Sequence, residues 1–501
     1  MVDSSSRHLR RSSRSSRFCS RTNRTALTLV FLSYLIDMIQ SMASRRATLL
    51  HKDATSAETV VTAMIDYYET HLPLRVVGIL ACLLLVIPSC ATTAENPTAS
   101  TGPVTTTATT APPRGTVLKP IDQDAFRAVV DAAVKKMKIP GAMVVLRTPQ
   151  GTFDTAVGTT ELGAQTPPDA NTHFRIGSNT KTMTAAVIVL LAQDGKLKLS
   201  DPVSAYVPNV PDGQTITIAD LLKMRSGLFN YTDDPELSAA LDANPAKAFT
   251  PQDVLATAFR HPLQFAADTS YEYSNTNYVL LGLIAEKVGG RSLAQQFRDR
   301  LFGPLGLGQT SLPAIDDFAM PAPYSHGYLY GGTYYALGDD PYPADMQSAA
   351  ENGTLQPTDY TNQNSSYANA AGGAISTADN LAVWVHALVS GSVFNADYHQ
   401  QWLSSLQAED PDQPDGQSYG WGIAYQRFSP TAAMYFHGGE LPGFNSFMGY
   451  DIDNDVAIVV WANLTRAPDG KTTANAMMPA LLDEIYAGLS LAPSPTPTTT
   501  R

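Results

Sequence analysis

Two blocks of strand-forming sequence stand at opposite ends of one long body, and a chain that carries both must bring its ends together. Near the start, "GAMVVLRTPQGTFDTAVG" is a pair of alternating apolar runs around a Pro-Gln-Gly turn, the pattern of a hairpin. Near the end, "MYFHGGE", "FNSFMGYDI" and "VAIVVWANL" read as three strands, the last two joined by the turn "DIDND". Helical patterns bracket them. "DQDAFRAVVDAAVKKMK" repeats Phe126, Val129, Val130, Ala133 and Met137 at helical spacing, and "TTANAMMPALLDEIYAGL" closes the body. The expected class is α+β: an α/β sandwich whose central antiparallel sheet is built from both chain ends, with helices on its faces and a mostly helical insertion.

That body is expected over 118–490. Residues 1–90 read as a targeting segment: Arg75, an apolar run from Val76 to Pro88, then Cys90. The run is too short to span a hydrocarbon core of ~30 Å but suits a signal h-region. Its ending "VIPSC" resembles a bacterial lipobox, which implies lipidation at Cys90 and an extracytoplasmic, membrane-anchored lipoprotein of the cell envelope. Pro88 departs from that pattern. A second basic-then-apolar segment upstream is consistent with a start assigned too early and a true start at Met64. Residues 91–117 are a Thr/Pro/Ala-rich tether expected to be disordered, and the tail 491–501 repeats that chemistry.

Charge is uneven. Residues 1–117 hold 12 Lys+Arg against 7 Asp+Glu, so the rest carries 22 against 39, a body near −17. Such a body is a poor nucleic-acid binder. All three cysteines (Cys19, Cys82, Cys90) precede the body, which leaves it no disulfide, thiolate nucleophile or cysteine-held metal. Its histidines are scattered without metal-ligand spacing, and no phosphate-cradling glycine loop leads into a helix with a lysine. No metal or cofactor is expected.

Within "FRIGSNTKTMTAAVIVLLAQDG", Ser178 stands three residues before Lys181 at the start of an apolar helix. Positions i and i+3 share a helix face, about 5–6 Å apart. A hydroxyl beside the positive end of the helix and an amine on the same side form an activated-nucleophile arrangement, provided the amine is neutral. That requires its pKa to fall by roughly three units from ~10.4, which burial can supply. The chain holds no other Ser-x-x-Lys, yet one such pair is expected by chance, and serine is also an ordinary N-cap.

Context adds weight. "YEYSNTNYVLLGLIAEKVGG" sets Tyr273-Ser274-Asn275 before another helix, and "FHGGELPGFNSF" sets His437-Gly438-Gly439 on a strand. Each has a bland alternative, an N-cap with a packing aromatic and a glycine-rich bulge. In this order the three motifs resemble the serine β-lactamase/penicillin-binding protein superfamily, in the branch of class C β-lactamases, D-Ala-D-Ala carboxypeptidases, D-aminopeptidases and related esterases. The resemblance spans roughly 120–488 and implies a serine hydrolase working through an acyl-enzyme. Ser178 would be the nucleophile, with Lys181 and Tyr273 sharing the base work and Tyr273 protonating the leaving group. The N–H groups of Ser178 and Glu440 would form the oxyanion hole. Asn275 would bond substrate or the lysine, His437 would orient Tyr273 or shuttle a proton, and Gly438 and Gly439 would line the substrate strand.

Carboxypeptidase-type members of that superfamily usually carry hydroxyl residues where this chain has Gly438 and Glu440. The departure disfavours a substrate carboxylate and favours esters, D-amino-acid amides or small peptides. The Tyr/Gly-rich stretch "PYSHGYLYGGTYYALGDDPYP" could wall such a cleft or form a surface loop. The expected partner is a small-molecule or peptide substrate. A penicillin-recognising sensor without turnover is the non-enzyme alternative. A rival nucleophile, Ser418 in "GQSYG", matches the Gly-x-Ser-x-Gly elbow, but an acidic Pro-rich loop precedes it and an alternating strand follows, where the elbow needs a strand and then a helix.

Overall fold

The computed structural model describes residues 117–338 and 340–489. The expected targeting segment, Cys90, the tether up to residue 116 and the tail lie outside the described residues.

Helix α1 (Gln123–Lys136) begins on an Asp122 side chain that accepts from the Ala125 N–H, and it buries Phe126, Val130 and Val134. Strands β1 (Gly141–Thr148) and β2 (Gly151–Gly158) follow, paired in register from Gly141↔Gly158 to Thr148↔Gly151. The insertion contains α2 (Thr180–Gln193), α3 (Asn275–Gly289), the single turn α4 (Tyr334–Leu337) and α5 (Ala378–Val389). The chain then lays down β3 (Gln407–Ala408), β4 (Ser418–Tyr419), β5 (Ala424–Ser429), β6 (Ala432–Leu441), β7 (Phe444–Asp451) and β8 (Val456–Ala462), and ends on α6 (Thr473–Ile485).

The eight strands form one sheet in the order β2-β1-β8-β7-β6-β5-β4-β3, every neighbour antiparallel. The first and last strands of the body are neighbours in it, Val144 opposite Val460, so the sheet joins the two ends as the sequence predicts. Alternation decides what covers each face. Ala142, Val144 and Leu146 pack with Phe126, Met477 and Leu481 of the terminal helices. Met143 and Val145 face the other way, onto the cluster containing Val187, Leu381 and Trp384 from the insertion.

Helix α2 carries apolar residues all round and is buried along nearly its whole length, which makes it the central helix of the insertion. Ser418 lies on the short strand β4, followed by β5. No helix follows it to make a nucleophile elbow. The Tyr-rich stretch is largely loop, but Tyr328, Tyr330 and Tyr342 are buried in the core under the terminal helices, while Tyr324 and Tyr334 stay exposed.

Candidate active site

Ser178 sits in a 3-10 turn (Gly177–Asn179) that runs directly into α2. That turn is fixed from several sides. The Asn179 amide donates to Ile176 O at 2.9 Å and to Ser446 Oγ at 2.8 Å. Thr180 Oγ1 donates to Gly177 O, and Thr182 Oγ1 returns to Asn179 O while accepting from the Trp384 indole. A serine held this way has little freedom left to lose if a substrate binds beside it.

Strand β6 supplies the opposite wall. Its pairing with β5 ends at Phe436↔Ala424, so among the described pairings the edge from His437 onward faces the Ser178 turn rather than another strand. Two glycines permit the close approach. A Cβ on Gly439 would stand 2.0 Å from Ile176 O, and one on Gly177, where φ is +55°, would stand 2.6 Å from the Glu440 nitrogen. The backbone of Glu440 is thereby brought against the turn that carries Ser178, the arrangement an oxyanion hole needs. Gly439→Ala is expected to force these backbones apart. It should cost about 1–3 kcal/mol of stability and slow covalent labelling of Ser178 by about 100-fold. A melting curve and a labelling time course check both.

Lys181 is fully buried one helical turn beyond Ser178. Its amine lies 3.0 Å from Ser178 Oγ, 2.6 Å from Asn275 Oδ1 and 2.7 Å from the carbonyl of Ala371. The amide and carbonyl oxygens can only accept, so they take two N–H bonds, and the third direction of the nitrogen points at the serine hydroxyl. Desolvation holds the ammonium well below the ordinary lysine range. In the neutral amine that third direction is a lone pair able to receive the hydroxyl proton.

Tyr273 and Asn275 flank the start of α3. Asn275 is oriented by Thr232 Oγ1, which accepts from its amide nitrogen at 3.1 Å, and by its own N–H, which donates to Asn230 Oδ1 at 2.9 Å. Its carbonyl end therefore faces the lysine. The Tyr273 side chain hydrogen-bonds Ser178, and the Lys181 amine lies 4.8 Å from its ring centre. Burial pushes the phenol up, the Ser178 bond opposes this, and the carboxylates of Glu440 and Glu409 add to the rise. Tyr273 therefore rests as a neutral phenol, a form suited to donating a proton.

His437 is buried with both ring nitrogens engaged. Nδ1 lies 2.6 Å from Gly438 O, so it must donate, and Nε2 accepts from the Tyr419 hydroxyl at 3.0 Å. Burial first, and then Lys181, pull its pKa down to about 3, against the Gly438 bond. The imidazole is neutral at ordinary pH. Its ring centre lies 6.4 Å from that of Tyr273, which makes it a packing and positioning neighbour of the phenol. A Cβ at Gly438 would stand in ordinary van der Waals contact with Asn475, 3.6 Å from its Oδ1.

Three participants escape sequence reasoning. The Ala371 carbonyl is a backbone atom; the run of small residues in "NAAGGA" is the signal of close approach that could have located it. Tyr419 lies inside "GQSYG", the stretch that suggests Ser418 as a rival, and it is the tyrosine that reaches the site. Arg466 meets the Glu440 carboxylate, Nε to Oε1 at 3.1 Å, and nothing in "NLTRAPDG" signals it.

Comparison with known proteins bears on this geometry. The family model described as Beta-lactamase matches residues 126–481. A D-stereospecific amidohydrolase from Streptomyces sp. is 28% identical, with a TM-score of 0.60 over 71% of this chain and 97% of that one. A D-amino acid amidase from Ochrobactrum anthropi SV3 is 25% identical, with a TM-score of 0.59 over 72% and 97%. Unguisins hydrolase ungD' of Aspergillus campestris is 26% identical over 373 residues, 71% of this chain and 64% of that protein. The chain thus spans less than two thirds of the length of the first curated relatives it matches. With the matched region covering the sheet, the Ser178 turn and the His437 strand, the chain belongs to the beta-lactamase family, in the superfamily of serine β-lactamases and penicillin-binding proteins.

Proposed function

We propose that the protein is a serine hydrolase that transfers acyl groups through Ser178, with D-aminoacyl amides and small esters or peptides as its substrate class. The observation that carries this reading is a desolvated amine 3.0 Å from a serine oxygen at a helix start. Lys181 takes the hydroxyl proton as Ser178 Oγ attacks the substrate carbonyl. The oxygen that becomes negative is held by the N–H groups of Ser178 and Glu440. Tyr273 gives its proton to the departing amine or alkoxide and takes one back from the Lys181 ammonium, so the serine proton ends on the leaving group. Water then attacks the ester by the same route in reverse, releasing acid and restoring the hydroxyl.

Substrate preference rests on the strand. Gly438 offers no hydroxyl, and a carboxylate, that of Glu440, already stands at this edge, so a leaving group without a carboxylate suits it better than a terminal D-alanine. The names of the Streptomyces and Ochrobactrum relatives place D-aminoacyl amides first in a test panel. The panel is a D-aminoacyl nitroanilide, its L-isomer, a nitrophenyl acetate, a chromogenic β-lactam and a D-Ala-D-Ala peptide. Turnover of the D-anilide or ester above the peptide and β-lactam is expected. Labelling of Ser178 without release of product from any of the five would mark a sensor rather than an enzyme.

A further inference from the structure

On β6, Gly438 and Glu440 are two residues apart and so share a face of the strand. That face looks toward Asn475 at the start of α6 and toward Arg466, in the segment between β8 and α6. The Arg466 side chain is 8% exposed and that of Glu440 is 26% exposed. Nη1 of the arginine donates to Asp340 O at 3.1 Å and Nη2 to Gly338 O at 2.6 Å, which fixes the guanidinium in the Tyr-rich segment packed beside β6. Its Nε then donates to the Glu440 carboxylate. The Glu440 backbone nitrogen stands against the turn that carries Ser178, so its side chain leaves the strand beside the reacting centre.

A nearly buried guanidinium beside an active-site strand is the natural receptor for a substrate carboxylate. Here that role is filled from within the chain. We propose that Glu440 is an internal carboxylate that occupies Arg466 at the leaving-group subsite, excluding substrates whose leaving group is anionic and admitting those whose leaving group is neutral or cationic. The inference rests on the acyl-transfer reading above and adds its selectivity. A substrate carboxylate would have to displace Glu440 from the arginine and remain beside it, two like charges in a poorly solvated recess. An amide, an ester or an amine-bearing leaving group meets no such repulsion, and an ammonium gains from the exposed part of the carboxylate.

The test compares cleavage of the D-Ala–D-Ala peptide bond in D-Ala-D-Ala and in its C-terminal amide, which differ in one charge, by following release of D-alanine or D-alaninamide. Wild-type protein should favour the amide in kcat/KM by about 100-fold. Glu440→Gln keeps an oxygen for Arg466 Nε but removes the charge, and Glu440→Thr vacates the guanidinium. Both should shift the ratio toward the free carboxylate, by about 10-fold and about 100-fold. Adding Arg466→Met to Glu440→Thr should remove the gain, since no receptor would remain. Fluorophosphonate labelling of Ser178 in every variant separates the two levels of the argument. Intact labelling with an unchanged amide-to-acid ratio in both Glu440 variants overturns the inference and leaves acyl transfer standing. Loss of labelling in the wild type overturns both. Should Glu440→Thr fail to fold, the Glu440→Gln ratio decides alone.

Discussion

Ser178→Ala is expected to abolish covalent labelling by a fluorophosphonate probe and to lower turnover of the best substrate by about 10⁴-fold or more, because the nucleophile itself is gone. The fold should scarcely register the change. Ser178 is half-buried, the turn around it is held by Asn179, Thr180 and Thr182, and its loss removes a single hydrogen bond at Lys181. The remaining two partners of that amine, Asn275 Oδ1 and Ala371 O, are untouched. Stability should therefore move by no more than about 1 kcal/mol, the net worth of one hydrogen bond. Intact-mass spectrometry after labelling and a melting curve measure the two quantities on one sample. A variant that hydrolyses esters and amides at the wild-type rate would remove Ser178 from the reaction and reopen the question of which hydroxyl reacts.

How far the sequence reveals this site depends on the kind of group concerned. Apolar runs made the strands legible because a strand that buries one or both faces tends to alternate or be continuously apolar: β1 and β8 are nearly continuous and β2 alternates through Phe153, Thr155 and Val157, whereas β7 buries Asn445, Ser446 and Asp451 as well. Ser178, Lys181, Tyr273, Asn275 and His437 were legible through spacing and order, and the structure gathers them around one amine and one phenol. Groups without a local signature were hidden. The Ala371 carbonyl is present in every residue type, and its value comes only from facing Lys181. The pair Glu440–Arg466 joins two charged residues whose separate neighbourhoods read as a strand end and a loop. Glu440 therefore looks, from sequence, like an unaccompanied negative charge. Tyr328, Tyr330 and Tyr342 mislead in the opposite sense, since a run of Tyr and Gly resembles a binding wall, yet these rings fill a core that only the folded insertion creates.

Lys181 links stability to catalysis, and its replacement is expected to separate the two. Lys181→Met retains the length of the side chain and removes the proton acceptor, so acylation should fall by about 10³- to 10⁴-fold. The stability effect depends on pH. Folding lowers the affinity of this amine for its proton, because the buried site disfavours charge. Below the folded-state pKa both states carry the proton, and the native state bears the full cost of a buried ammonium. Between that pKa and the unfolded value near 10.5 the unfolded chain binds more protons, so wild-type stability rises with pH. Lys181→Met has no such group. Its stability relative to wild type should therefore be greatest at low pH and decline as pH rises toward 10.5, with a limiting slope of about 1.4 kcal/mol per pH unit. The methionine also leaves Asn275 Oδ1 and Ala371 O without their donor, at a cost of about 1–3 kcal/mol each that does not depend on pH. The offset between the two proteins is thus set by lost hydrogen bonds, and the slope by the proton alone. His437, whose folded pKa is held near 3 against an ordinary 6.5, adds a slope of its own below about pH 6.5, but both proteins carry it and it drops out of their difference to first order. Denaturant unfolding of both proteins across pH 5 to 10 measures the difference. A difference that stays flat over that range would mean the amine titrates as freely when folded as when unfolded. The hydroxyl of Ser178 would then face an ammonium, and the proposed route for its proton would fail at the first step.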